Sequence, residues 1–347
     1  MGKEISLLVR ENIRKLKPYS CARHEFKGEA SVFLDANENP MNNPYNRYPD
    51  PLQEALKRQI GSIKHVRPSQ IMLGVGSDEP IDLIIRIFCE PKVDNIVAID
   101  PTYNMYRVCA DINNVAYRPV LLNDDFSFNA DRLLDAVDEC TKVVFLCSPN
   151  NPSGNVLHSD GIRKILNSFD GITVIDEAYI DFSSYPSWLT MLDDYPNLVV
   201  LQTFSKAWGL ASVRCGMAFA SEEITAYLNK VKYPYNINLL TQQFVSAQLA
   251  HTDRKDEWVG LLLKQRAVLA EQLGKLPFVE KIYPSDANFL LVRVADPEGI
   301  YNQLVNKGII VRKRNNLSLC LGCLRITVGT TEENNLLINE LKKIDID

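Results

Sequence analysis

Between about residue 50 and residue 220 the chain repeats one rhythm: a short β-branched run, a turn, then a stretch of helical periodicity. No other feature narrows the possible folds so far, because strands that alternate with helices pair in parallel, each helix carrying the chain back to start the next strand. Strands are predicted at 71–75, 96–99, 116–121, 143–147, 173–175, 198–201 and 216–220. Most of them are apolar almost without interruption, which is what a sheet covered by helices on both faces requires. A chain of 347 residues also exceeds what one hydrophobic core usually organises, so a second unit is expected. The rhythm breaks around Tyr233-Pro234-Tyr235-Asn236, and a long amphipathic segment follows at 241–276, interrupted by a polar turn at 252–256. Further strands are predicted near 289–294, 309–312 and 324–328, with a helix at 297–306. A last helix opens on Thr330, three residues before Glu333, the spacing of a capping box. The expected class is α/β: a large unit at 46–240 with a mostly parallel central sheet, and a smaller α+β unit from 241–347 completed by the N-terminal residues 1–45.

Charge and composition remove several function classes. The net charge of −5 and the absence of a Lys/Arg block leave nothing to neutralise a phosphate backbone, so nucleic acid is not an expected partner. Charges at Arg10, Glu11, Arg14, Lys15 and Lys17 interrupt any apolar signal core, and no apolar run approaches the roughly 18 residues that span a bilayer. A cytoplasmic protein with no membrane partner is expected, its eight cysteines reduced. Cys320 and Cys323 form a C-x-x-C pair, but no second pair lies at zinc-finger distance and the histidines at 24, 65, 158 and 251 are scattered. Two small buried thiols beside a strand are the plainer reading, and no metal is expected.

Four segments carry candidate chemistry, each with an ordinary structural alternative. Gly74-Val75-Gly76-Ser77-Asp78-Glu79-Pro80 runs from a strand into a helix; it suits an anion at a helix N-terminus, or is only a turn with a Ser or Asp cap. Ser148-Pro149-Asn150-Asn151-Pro152-Ser153-Gly154 follows another strand and reads as a ligand loop or as a turn. Asp176-Glu177-Ala178-Tyr179 puts a carboxylate at a strand end, where it faces a cleft or caps a helix. Thr203-Phe204-Ser205-Lys206, with Arg214 eight residues on, sets a lysine beside two hydroxyls, although most lysines are simply solvated.

If the strands share one sheet, these four segments meet at one cleft beyond the strand ends. Their residue types then fit one cofactor, pyridoxal 5′-phosphate, which needs an amine for its aldehyde, a carboxylate for its ring nitrogen, donors for its phenolic oxygen, a flat contact and an anion cradle. Lys206, Asp176, Asn151 with Tyr179, and Tyr103 supply the first four. The amides of Gly76, Ser77 and Asp78, with Thr203, Ser205 and Arg214, supply the cradle.

The same residues carry a resemblance. Leu34-Asp35-Ala36-Asn37-Glu38-Asn39-Pro40, Arg47-Tyr48-Pro49, the Gly76-Ser77-Asp78-Glu79 turn, Pro101-Thr102-Tyr103-x-Met105-Tyr106, Asn150-Asn151-Pro152-Ser153-Gly154, Asp176-Glu177-Ala178-Tyr179, Ser205-Lys206-Ala207 and Leu324-Arg325-Ile326-Thr327-Val328-Gly329 occur in one order. In that order they resemble the fold-type I pyridoxal-phosphate-dependent aminotransferases, and among them the subgroup acting on histidinol phosphate. Ser153 and Trp208-Gly209-Leu210 depart slightly from the pattern and touch no catalytic role. The resemblance implies the aspartate-aminotransferase-like fold, catalysis by Lys206, Asp176 and Tyr179, and amino transfer between histidinol phosphate and 2-oxoglutarate. It implies a homodimer with Tyr48 reaching the neighbouring cofactor phosphate, Arg312 and Arg325 on the substrate's anionic group, and Tyr19 and Asn37 close to the substrate. A decarboxylase acting on an amino-acid phosphate such as threonine phosphate, and an aromatic amino-acid transaminase, share these motifs. A DNA-binding regulator built on the same fold would need more residues before Asn37 than the chain has.

Overall fold

The computed structural model describes residues 4–20, 25, 26, 28 and 30–344; Cys21 and His24 lie outside the described residues. Seven strands form the larger sheet: β1 (Ile71–Val75), β2 (Asn95–Asp100), β3 (Ala116–Leu121), β4 (Thr141–Cys147), β5 (Ile172–Asp176), β6 (Leu198–Thr203) and β7 (Cys215–Ala220). Their order is β1-β7-β6-β5-β4-β2-β3, and the pairs from β6 through β3 are parallel.

Apolar runs serve both faces by simple alternation. Ile96 and Ala98 of β2 pack to one side, with Ile81, Ile84 and Phe88 of the helix Asp78–Phe88. Val97 and Ile99 pack to the other, with Leu56, Ile60, Ile162 and Ile165 from the helices Glu54–Lys64 and Ser159–Ser168. The helix Asp78–Phe88 is placed by this apolar stripe and by acidic residues in its first turn and Arg86 in its last, in the sense its dipole favours. Ile5, Val9 and Ile13 are buried on this larger sheet, not on the smaller one, and Arg10 ties the segment down through a backbone bond from its amide to the Ile87 carbonyl at 3.0 Å.

Two strands depart from the expected pattern. β7 runs antiparallel to both β1 and β6, because the segment 204–214 before it holds only the short turn Ala211–Val213 and is too brief for a crossover helix. β3 lies at the sheet edge with one neighbour, and of its residues only Val120 is buried.

The second sheet is antiparallel, in the order β10-β11-β9-β8, from β8 (Val279–Ile282), β9 (Phe289–Val294), β10 (Arg312–Lys313) and β11 (Cys323–Thr327). The helices Thr252–Leu273, Pro297–Asn306 and Thr331–Leu341 cover it around Leu269, Ile300 and Leu337. β8 lacks the apolar run that would reveal it, since Glu280 and Lys281 occupy its exposed middle. The strand expected at 309–312 shrinks to Arg312–Lys313, while Ile309 and Val311 pack on the core without pairing. The polar residues 252–256 begin a helix instead of forming a turn, and the break falls at Ala250 and His251. The capping box forms as expected: Thr330 Oγ1 accepts from the Glu333 amide at 3.2 Å and Glu333 Oε2 from the Thr330 amide at 2.8 Å. Cys320 and Cys323 are buried free thiols, and no helix among the described residues is long and apolar enough to cross a membrane.

Candidate active site

β1, β4, β5 and β6 run in one direction, so the four candidate segments leave the sheet at the same edge. They line one cavity of about 1130 Å³, closed on the far side by residues 298 to 325 of the second sheet unit. Gly76, Ser77, Asp78, Tyr103, Asn151, Asp176, Tyr179, Thr203, Ser205, Lys206 and Arg214 all face it, and so do Arg312 and Arg325.

Lys206 follows β6 on a tight turn, with its Nζ 5.4 Å from the centre of the Tyr179 ring. Burial holds its pKa below the ordinary lysine value and Arg325 pushes the same way, against the pull of Asp176 and Asp78. The amine therefore gives up its proton more readily than a surface lysine does. Asp176 ends β5 and is buried, which raises its pKa. Opposing that, Oδ2 accepts from the Tyr106 hydroxyl at 2.7 Å and Oδ1 from the Ala178 amide at 3.1 Å. Its neighbour Glu177 points away, accepting from Ser187 Oγ, the Trp188 amide and Gln202 Nε2 at 2.5, 2.7 and 2.9 Å; it anchors the following loop, and burial lifts its pKa to about 7.

The Gly76 turn is tight for a physical reason. Gly76 has φ +70°, and a Cβ there would lie 2.6 Å from Arg214 Nη2. Ser77 makes no side-chain cap bond, so the simple capping alternative fails, and first-turn amides have no partner inside a helix. Arg214 Nη2 stands 3.6 Å from Asp78 Oδ2, while Asp78 Oδ1 accepts from the Tyr103 hydroxyl at 2.9 Å. The Thr203 hydroxyl, 3.0 Å from Ser205 Oγ, completes the rim. In the loop after β4 the two asparagines divide the work. Asn150 is internal, bonded to Pro101, Thr102 and Ser153, whereas Asn151 faces the cavity and accepts from Arg325 Nη1.

Three expected residues lie elsewhere in the single chain. Asn37 and Tyr48 line a separate cavity of about 540 Å³ with Arg47 and Leu240, and Tyr48 stacks on Tyr235 with ring centres 4.6 Å apart. Tyr19 is 68% exposed on the N-terminal segment. Two contributors were not singled out from sequence. Tyr106 stands in the sequence only as the last residue of a motif, with no role of its own, and in the structure it stacks on Phe145 with ring centres 4.6 Å apart while its hydroxyl reaches Asp176. Arg314 lies in the basic run Arg312-Lys313-Arg314 and carries no sequence signal of its own, and only the hairpin brings it to the cavity wall.

The residues present suit pyridoxal phosphate. Gly76 holds a backbone conformation, φ +70°, that side chains rarely adopt, a buried carboxylate with no ion pair among the described residues matches a protonated ring nitrogen, and Arg325 Nε, buried without a partner, is left for a substrate's anionic group.

The family model for aminotransferase class I and II matches residues 24–341, and fold and site both have the form of that class. A histidinol-phosphate aminotransferase of Bacteroides thetaiotaomicron is 59% identical over 342 residues, covering 98% of this chain and 99% of the relative. The chain therefore belongs to the histidinol-phosphate aminotransferase family. Among solved structures, the histidinol-phosphate aminotransferase from Clostridium acetobutylicum superposes with a TM-score of 0.79 at 24% identity, over 86% of this chain and 90% of its own. The L-threonine-O-3-phosphate decarboxylase from Porphyromonas gingivalis reaches 0.72 at 19% identity, over 86% and 90%, so the fold alone does not separate the two activities.

Proposed function

We propose that the chain transfers the amino group of L-histidinol phosphate to 2-oxoglutarate, giving imidazole acetol phosphate and L-glutamate in histidine biosynthesis. The observation that carries the reading is the convergence of Lys206, Asp176 and Arg325 on one cavity, in a chain 59% identical to a relative of that name. Pyridoxal phosphate, when bound, supplies a protonated ring into which the electrons of a bond to the substrate carbon delocalise.

The chain's residues do the rest. Lys206 Nζ would hold the group by its aldehyde and, when free, would carry a proton to and from the substrate carbon; its lowered pKa suits it to that work. Asp176 would keep the proton on the ring nitrogen. Asn151 and Tyr179 would hold the phenolic oxygen, Tyr103 would offer the ring a flat contact, and the Ser77 and Asp78 amides with Thr203, Ser205 and Arg214 would hold the phosphate, the Gly76 amide being donated to the Arg214 carbonyl at 3.1 Å. Arg325 and Arg312 bind the substrate's anionic group. The placement of Tyr48 away from Lys206 supports a homodimer in which Tyr48 of the partner subunit completes each phosphate site, with Tyr19 and Asn37 closing over the substrate. A cytoplasmic location fits this role.

Incubating the purified protein with histidinol phosphate and 2-oxoglutarate should yield glutamate without carbon dioxide. The Lys206→Ala variant should lose both turnover and the visible absorbance of the bound cofactor. Release of carbon dioxide from threonine phosphate, or a normal visible spectrum in the variant, would sink the assignment.

A further inference from the structure

Arg314 stands immediately after β10, and its backbone is fixed: the amide donates to the Cys323 carbonyl at 2.9 Å and the carbonyl accepts from the Leu317 amide at 2.9 Å. Arg312, two residues earlier, pairs across the hairpin with Arg325, so the three guanidinium groups rise together on one wall of the cavity. That concentration of like charge is expensive, and among the described residues no carboxylate forms an ion pair with Arg314. Its Nε is buried without a hydrogen-bond partner, as is that of Arg325. Burial first, then Arg325 and Arg312, hold its pKa down to about 10; the groups acting in the other sense are a thiol and a phenol, Cys320 and Tyr179, and not a carboxylate. The cavity's acids are engaged elsewhere: Glu298 with Lys313 at 2.6 Å, Asp78 with Tyr103 and Arg214, Asp176 with Tyr106.

From this geometry we infer that Arg314 is a specificity-determining residue, the added guanidinium that makes an arginine clamp suited to a carboxylate into a site for a phosphomonoester. One guanidinium fork matches the two oxygens and single charge of a carboxylate. A phosphomonoester brings three terminal oxygens and a charge of roughly −1.5 to −2 at neutral pH; Arg325 and Arg312 can balance that charge, but the third oxygen offers acceptor sites that a carboxylate does not have. Arg314 serves these. The inference rests on the amino-transfer reading above and names the residue that would favour the phosphorylated amine over the free amino acid at the shared site.

The two half-reactions, followed separately through the visible spectrum of the bound cofactor, test it. In Arg314→Gln the KM for histidinol phosphate should rise about tenfold or more. The rise for glutamate should be smaller by at least about threefold, because a carboxylate needs only one fork. Inorganic phosphate, used as a competitive inhibitor, should weaken along with histidinol phosphate. Arg314→Lys should recover part of the loss, since it restores charge without the fork. Equal changes for both donors, or none, in wild-type-like cofactor spectra would overturn the inference alone. A wild-type protein that takes no amino group from histidinol phosphate would overturn the functional reading and this inference with it.

Discussion

The Tyr106 hydroxyl, 2.7 Å from Asp176 Oδ2, joins a residue on the helix Met105–Ile112 to a carboxylate at the end of β5. Burial works against ionisation of Asp176 and this bond works for it, so the tyrosine tunes the group that is to hold the ring proton. Tyr106→Phe keeps the stack on Phe145 and removes only the donor. A hydrogen bond to a charged group contributes about 1.5 to 3 kcal/mol, part of which the Ala178 amide retains, so kcat should fall about tenfold with KM little altered. Single-turnover rates would show it, and an unchanged rate would reduce Tyr106 to packing. Much of the chemistry at this scale is legible in sequence, because lysine, carboxylate and glycine turn are types that few other tasks require together. Tyr106 and Arg314 are not, since an aromatic on an apolar helix face and a basic residue in a charged run have the same appearance whether or not they reach a site.

At the level of elements, the crossing of β1 and β7 sets the shape of the anion cradle. Gly216, opposite Gly74 in the pairing, has no room for a side chain: a Cβ would lie 2.3 Å from the Gly76 carbonyl carbon and 2.4 Å from the Ser77 nitrogen. Gly216→Ala must push the cradle backbone away from β7, costing about 2 kcal/mol or more and much of the cofactor affinity. Thermal unfolding and the cofactor content of the purified variant measure the two effects, and full retention of both would contradict the packing. Gly260, in the helix Thr252–Leu273 with nothing within 4 Å of a Cβ, is the control; Ala there should stabilise by about 0.5 to 1 kcal/mol. The periodicity of the sequence locates these elements but does not report that β7 turns back. That direction follows from the shortness of the connection, and the exposed β8 is absent from the pattern because its middle residues are charged.

For the molecule as a whole, the segment bearing Asn37 and Tyr48 bounds a cavity of its own, and exposed Leu34, Met41, Tyr45 and Leu240 accompany it. In the proposed dimer these residues meet the partner. Mixing Lys206→Ala with Tyr48→Ala protein after subunit exchange should then recover about a quarter of the wild-type sites, because each mixed dimer carries one intact site. Two inactive variants that stay inactive in every ratio, despite proven exchange, would show that each chain works alone.

The sequence by itself determines the alternation of strand and helix, the strand ends on which chemistry is carried, and the residue types suited to one cofactor. Those are local properties, written in periodicity and in side-chain chemistry. The reversal of β7, the anchoring of residues 5 to 13 on the larger sheet, the bond from Tyr106 to Asp176 and the gathering of Arg312, Arg314 and Arg325 on one wall are decided by the tertiary structure. Each depends on which elements pack together and in what direction, and residues distant in number acquire a shared role only once burial has brought them into contact.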